Sequence, residues 1–152
     1  MNKIVDKKIK KGLKLSKYNF NNKPLVVGGL AMEYYGLRKT GHDYDYVVSR
    51  KDWKELKKLY PNNINLFGGK NEKDVDATIN LKDEHVDLIS TLFQFNYKDL
   101  SKNSIDLPEY KIISLEKLLL LKSLGAVFNN HSKSKKDQKL IIKHIVKIQY
   151  SD

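Results

Sequence analysis

The stretch that decides the fold is residues 24–49, PLVVGGLAMEYYGLRKTGHDYDYVVS. It begins with a short apolar run that ends at Gly28 and Gly29, which is typical of a buried strand followed by a tight turn. Residues 30–37 have apolar side chains at helical spacing. Residues 43–49 alternate carboxylates with tyrosines before they become apolar, as strands do. The stretch therefore predicts a strand, a glycine turn, a helix and a second strand.

The two glycines allow two interpretations. Because Gly28 and Gly29 have no side chains, their N–H groups could approach a triphosphate closely, and a helix N-terminus would favour the negative charge. Alternatively, a tight turn between a strand and a helix requires glycine for its dihedral angles alone.

Asp43 and Asp45 are two residues apart, so on a strand they share one face while Tyr44 and Tyr46 share the other. Two neighbouring carboxylates repel each other unless a cation lies between them, and Mg²⁺ is the natural cation for oxygen ligands. The alternative is a solvent-facing strand at the edge of a sheet.

A third carboxylate, Asp87, lies in the strand-like run EHVDLIS. Val86 and Leu88 would face the core, which leaves His85 and Asp87 on the opposite face. A carboxylate within an apolar strand is costly unless it lies at the surface or in a site. A glycine turn, a DxD strand and a later aspartate together are what two-metal phosphoryl chemistry requires.

The rest of the chain predicts an α/β (α+β) protein of one domain, residues 1–152, with a core over about 20–92 and a helical part over about 112–150. We expect a mixed sheet of roughly four or five strands with helices on one side and a C-terminal helical pair. Helices are predicted at 2–17, at 51–60 with Ser49 as cap, from Ser114 onward, and at 137–149 after a basic loop at 129–136. Further strands are predicted at 64–67, 75–81 and 85–92, with a hairpin or loop at Gly68 and Gly69. Residues 93–110 match no pattern.

The chain has 152 residues, a net charge of +11 and no cysteine, which excludes disulfides and thiolate metal sites. No apolar run is long enough to span a membrane, and the N-terminus lacks a signal-peptide pattern, so we expect a cytoplasmic protein. The positive charge favours an acidic partner such as nucleic acid. The alternative is codon bias, since Arg38 and Arg50 are the only arginines among many lysines.

The run GGLAMEYYGLRKTGHDYDYVV resembles the signature of the DNA polymerase beta-type nucleotidyltransferases. The resemblance implies that Gly28 and Gly29 hold the β- and γ-phosphates of a nucleoside triphosphate (NTP). It also implies that Asp43 and Asp45 bind two Mg²⁺ ions, or Mn²⁺ instead, and that Asp87 is the third metal-binding carboxylate.

Further along, ISLEKLLLLKSLGA and KSKKDQKLIIKHI are similar to the tail of the abortive-infection-type (AbiEii-like) toxins and the minimal bacterial nucleotidyltransferases. This similarity implies that Lys122 contacts the triphosphate and that Lys136 and Asp137 support the nucleotide pocket. A basic residue of that motif is replaced by Ser134, with Lys133 or Lys135 as its substitute. The alternative for Lys122 is a lysine that extends from a packed helix to solvent.

Arg38 and Thr40 look like the Arg-x-Thr that often precedes the DxD strand in this superfamily. They would meet phosphate or orient the turn. Alternatively, Arg38 only pairs with Asp45 or Glu33.

These features predict a nucleotidyltransferase that moves NMP from an NTP to an acceptor hydroxyl and releases pyrophosphate. The expected acceptor is RNA, such as a tRNA end, bound on a lysine-rich surface, and the resemblance implies a toxin-like setting with an antitoxin as a further partner. The alternative acceptor is a protein side chain or a small molecule such as an antibiotic. A different class is a non-catalytic module on the same fold that binds nucleotides or nucleic acid. A purely structural partner is a third.

Overall fold

A computed structural model describes residues 3–68 and 76–149. The helices are α1 (Lys3–Leu15), α2 (Gly28–Tyr34), α3 (Arg50–Leu59), α4 (Tyr97–Leu100), α5 (Leu115–Phe128) and α6 (Ser132–Gln149). The strands are β1 (Leu25–Val26), β2 (Tyr44–Val47), β3 (Ile64–Phe67), β4 (Asp76–Leu81), β5 (Val86–Ile89), β6 (Thr91–Leu92), β7 (Phe95–Asn96), β8 (Ile105–Asp106) and β9 (Lys111–Ile112).

The described strands form a mixed sheet in the order β3-β4-β5-β2-β1-β9-β8, and β6 and β7 form a separate hairpin. The pairs β2–β5 and β1–β9 are parallel, and the other neighbours in the large sheet are antiparallel. The predicted α/β class with a mixed sheet is confirmed. The predicted strand number is too low, because seven strands join the sheet. Strands of two residues, such as β8 and β9, are too short to show alternation in a sequence.

The two strands that carry the acidic residues lie side by side. β2 and β5 run parallel with Tyr44 opposite Val86 and Asp45 opposite Asp87, and the Tyr44 amide donates to the His85 carbonyl at 2.8 Å. Val86 and Leu88 are fully buried, as the alternation predicted. Two carboxylates 42 residues apart in the chain are thereby held as direct neighbours in one sheet.

Helix α1 packs against β2 through its apolar stripe. Val5 and Ile9 are fully buried, and the Tyr46 hydroxyl donates to the Ile9 carbonyl at 2.8 Å. A side chain at Gly12 would overlap the Tyr44 and Tyr46 rings. The glycine that weakens the helical pattern is therefore what lets α1 approach the sheet closely.

Helix α3 is fixed at its start by a buried polar cluster. Ser49 caps it by accepting from the Asp52 amide at 3.2 Å, as predicted. The buried carboxylate of Asp52 also accepts from the backbone amides of Asn21 and Asn22 at 2.9 and 3.0 Å. Burial raises the pKa of Asp52, but these hydrogen bonds outweigh it and hold the pKa below its ordinary value.

The C-terminal helical pair is confirmed, with a different boundary. Ser114 caps α5 by accepting from the Lys117 amide at 3.2 Å. A Cβ at Gly125 would lie 2.7 Å from the Ser134 hydroxyl oxygen, so the glycine leaves room for the Ser134 side chain where α5 and α6 pack together. Helix α6 begins at Ser132, whereas a basic loop over 129–136 was predicted. The prediction was wrong because the five polar residues SKSKK include no apolar residue at helical spacing to indicate the start of the helix.

Other boundaries also differ from the prediction. The predicted strand 85–92 is divided into β5 and β6, and the unmatched region 93–110 holds β7, α4 and β8. Val75 and Gly69 fall outside the described residues. In the described ranges, no helix is long and apolar enough to cross a membrane.

Candidate active site

Two clefts meet at the carboxylates of the central strands. The larger has a volume of about 840 Å³ and lies between the sheet and α5, and the smaller has a volume of about 190 Å³ and lies at the start of α2. The residues that line both are Gly28, Asp45, Lys122, His131 and Ser134. Asp43 lines the smaller cleft and Asp87 the larger one, so the three predicted carboxylates border one continuous space.

Asp45 and Asp87 form the central carboxylate pair of this site. They are register partners on parallel strands, and Asp87 Oδ1 accepts a hydrogen bond of 2.5 Å from the Asn80 amide nitrogen. Burial, together with the charges of Asp87 and Asp43, raises the pKa of Asp45 to about 7. The repulsion that the DxD pattern predicted is therefore present, and it includes the third carboxylate.

Asp43 differs from its partners in exposure. It lies just before β2 instead of within it, it is 68% exposed, and its Oδ1 is 3.8 Å from His85 Nδ1. His85 itself ends a short 3-10 turn at φ +57° and is not on the strand, contrary to the expected strand-face position. Asp43 is thus less constrained than Asp45 or Asp87.

The chemistry of these oxygen donors fits Mg²⁺. Asp45 and Asp87 bring two carboxylates together on rigid strands, and a divalent cation between them would offset the repulsion that raises the pKa of Asp45. Within residues 3–68 and 76–149, no three acidic or histidine side chains already converge as a metal-binding group. The predicted two-metal site stays a prediction in which Asp43 has to turn toward Asp45.

Neighbouring side chains approach Gly28 and Gly29 so closely that neither position has room for a Cβ atom. Gly28 has φ +62°, and a Cβ on it would lie 2.5 Å from Asp45 Oδ2. A Cβ on Gly29 would lie 2.5 Å from the Thr40 hydroxyl oxygen. The two glycines are also the first residues of α2 instead of a turn before it. Their missing side chains leave the floor of the smaller cleft open.

A buried carboxylate holds two cations at this cleft. Asp137 is 1% exposed and accepts from Arg38 Nε and Nη2 at 2.7 and 2.8 Å, and from Lys122 Nζ at 2.9 Å. Burial raises the pKa of Asp137, but the hydrogen bonds from Arg38 and Lys122 outweigh it and hold the pKa below its ordinary value. The suggested pairing of Arg38 with Asp45 or Glu33 is therefore wrong.

Glu33 instead fixes the loop that carries Thr40. The buried Glu33 carboxylate accepts from the Thr40 amide at 2.9 Å and from Lys8 Nζ at 2.8 Å. Thr40 lines the smaller cleft together with Gly29 and Arg38, so the predicted nucleotide-binding residues of this region do come together.

Lys136, which was also predicted to support the nucleotide pocket, lies apart from these residues. It is exposed on α6 and lines neither of the two clefts, whereas Lys133 and Ser134 line the smaller one. Sequence reasoning also missed Asn80, whose partnership with Asp87 depends on the antiparallel register of β4 and β5. The alternation in DATINL places Thr78 and Asn80 on one face, but only the register shows which neighbour that face meets.

No protein-family model matches this sequence, and no curated protein matches it. The chain is similar to two solved structures from H. pylori, a candidate nucleotidyltransferase and the protein JHP933. The first has a TM-score of 0.48 and 17% identity over 95% of this chain and 70% of its own. The second has a TM-score of 0.47 and 17% identity over 95% of this chain and 68% of its own. Structural similarity at this low identity and TM-score assigns no function to the chain.

Proposed function

We propose that this protein is a nucleotidyltransferase that moves NMP from an NTP to an acceptor hydroxyl. The observation that carries the proposal is the register pair Asp45 and Asp87, placed where a small cleft with cationic side chains opens into a larger one. Phosphoryl chemistry needs anion-binding groups on one side of a carboxylate pair and room for an acceptor on the other.

The smaller cleft would bind the triphosphate. Arg38 and Lys122 supply positive charge there, and Asp137 fixes the orientation of both. Gly28 and Gly29 leave room for phosphate oxygens to approach the backbone, because any larger residue would fill that space. Charge neutralisation and fixed geometry are the main contributions that a protein makes to this reaction.

The carboxylates would hold the metal. Asp45 and Asp87, joined by Asp43, would bind Mg²⁺ through oxygen atoms, as the donor set favours. When bound, Mg²⁺ supplies charge for the leaving pyrophosphate and lowers the pKa of an attacking hydroxyl.

The transfer itself would be an in-line displacement. The acceptor oxygen forms a bond to the α-phosphorus, the bond from that phosphorus to the β-bridging oxygen breaks, and pyrophosphate leaves. Asp87 faces the larger cleft and would take the proton of the acceptor hydroxyl. Asn80 would keep the Asp87 carboxylate in place through its 2.5 Å hydrogen bond.

RNA is the acceptor that we propose. The exposed lysines of α6 are Lys133, Lys135, Lys136, Lys139, Lys143 and Lys147. Such a row would bind the phosphates of an RNA strand outside the clefts and release counterions, while its terminal hydroxyl enters beside Asp87. Lys136 would thus serve the acceptor instead of the nucleotide.

The test uses NTPs labelled at the α-phosphate, with Mg²⁺ and, separately, total RNA, cell protein and a small-molecule extract. The wild type should label RNA, and Asp45→Asn should not. Label in the protein or small-molecule fraction would keep the reaction and replace the acceptor. If the wild type binds NTP but labels no fraction, the chain is a nucleotide-binding module instead of an enzyme.

A further inference from the structure

Two exposed aromatic rings lie at the larger cleft. Phe67 ends β3 and is 57% exposed, and Phe128 ends α5 and is 72% exposed. Both line the cleft that contains Asp45 and Asp87. Large apolar groups exposed together at a cavity indicate a ligand that covers them.

An amide side chain accompanies each ring. Asn65 lies two residues before Phe67 on β3, so the two share a strand face, and Asn129 directly follows Phe128. Both asparagines line the same cleft as the rings. An amide offers donors and an acceptor together, so this wall suits a flat ring with a polar edge.

The charges in the larger cleft exclude phosphate from this wall. Of its described lining residues, Lys122 is the one lysine or arginine, and it also lines the smaller cleft, where the triphosphate is proposed to bind. The carboxylate of Asp76, the register partner of Phe67, accepts from the Phe93 and Gln94 amides at 2.7 and 2.8 Å. An uncharged aromatic group fits here better than an anion.

We propose that the nucleobase of the NTP stacks against Phe67 and Phe128, with Asn65 and Asn129 at its polar edge. This inference rests on the proposed function. If the triphosphate occupies the smaller cleft and the α-phosphate lies at Asp45, the nucleoside extends through the shared residues into the larger cleft. Stacking is available to every base, so the two rings bind all four NTPs and the asparagines select among them.

The test compares the binding of ATP, GTP, CTP and UTP with that of inorganic tripolyphosphate, by calorimetry in Mg²⁺. Phe67→Ala and Phe128→Ala should each weaken NTP binding about tenfold and leave tripolyphosphate binding unchanged. The reason is that each substitution removes a contact with the base and none with the phosphates. Phe128→Tyr should retain wild-type affinity. Both phenylalanines are exposed, so their replacement leaves the buried core intact.

Val127→Ala is the matched control, because Val127 is also 72% exposed and neighbours Phe128 but lines neither cleft. Its NTP affinity should equal that of the wild type. NTP binding that is indifferent to both phenylalanines but weakened by Arg38→Ala would overturn this inference and leave the proposed function in place. A wild type that binds neither NTP nor tripolyphosphate would overturn both.

Discussion

Arg38 and Asp137, 99 residues apart in the chain, are joined by two hydrogen bonds of 2.7 and 2.8 Å. This pair connects the segment between α2 and β2 to the C-terminal helix α6. Lys122 of α5 donates to the same carboxylate at 2.9 Å. Three separate parts of the chain thus depend on one buried aspartate to form the cationic side of the smaller cleft.

Asp137→Ala should lower the free energy of unfolding by about 3 kcal/mol, because breaking a buried ion pair leaves its partners without a counter-ion. Arg38 and Lys122 are only 21% and 17% exposed, so water can replace the lost carboxylate only in part. Urea denaturation followed by circular dichroism measures the loss.

Asp106→Ala is the control for this change. Asp106 pairs with Lys23 at 2.8 Å, but it is 64% exposed, and exposed ion pairs contribute little to stability because solvent screens them. Equal losses of unfolding free energy in the two variants would show that the buried Asp137 cluster stabilises the fold no more than an exposed ion pair does.

Acidification should reduce this stabilisation. Asp137 has a folded-state pKa below its ordinary value of 3.8, so its contribution is present above the unfolded-state pKa and is lost as the pH falls through the folded-state pKa. Asp137→Asn does not titrate. The difference in unfolding free energy between the wild type and this variant should be constant from about pH 7 to 5 and shrink below about pH 4. A difference that stays constant in acid would contradict the assigned hydrogen bonds.

Gly28→Ala should reduce nucleotidyl transfer about a hundredfold, because the new methyl group displaces a carboxylate of the proposed metal site by a fraction of an ångström or more. The added Cβ would lie 2.5 Å from Asp45 Oδ2. Rates of transfer at saturating NTP, measured with the proposed RNA acceptor, report the effect.

Gly36→Ala is the control that distinguishes displacement of the Asp45 carboxylate from backbone strain. Gly36 also has a positive φ, +71°, but a Cβ there meets nothing within 4 Å. Both variants should lose about 1–2 kcal/mol of stability, and only Gly28→Ala should lose activity. Equal activities in the two would place Gly28 outside the site.

Asn80→Ala should lower kcat about tenfold and leave the Kd for NTP unchanged, because it frees the Asp87 carboxylate and removes none of the side chains to which NTP binding is assigned. Asn63→Ala is the control, since Asn63 donates at 3.1 Å to the Asn80 carbonyl and not to Asp87. Single-turnover kinetics distinguish the two. A change in Kd with constant kcat would assign Asn80 to nucleotide binding instead of positioning.

The central part of the fold could be predicted from the sequence because its signals are local. The apolar run before Gly28, the capping serines and the DxD alternation each depend on neighbours within a few residues. The same local patterns identified Asp43, Asp45 and Asp87 as candidates, whereas the pairing of β2 with β5 that holds Asp45 beside Asp87 is a long-range contact.

What the sequence could not provide depends on contacts between distant segments. The partner of Arg38 lies in α6, whose first turns look like a basic loop, and the support of Asp87 by Asn80 depends on strand register. Strands β8 and β9 contain two residues each, which is below the length at which alternation is recognisable.

The most direct measurement of the central claim follows one NTP labelled separately at the α- and γ-phosphates, with Mg²⁺ and RNA, in the wild type and in Asp45→Asn. We predict that the wild type transfers the α-label to RNA and releases the γ-label as pyrophosphate in equal amounts, and that Asp45→Asn does neither. Release of the γ-label as inorganic phosphate without transfer, or transfer that persists in Asp45→Asn, would contradict a nucleotidyltransferase built on the Asp45–Asp87 pair.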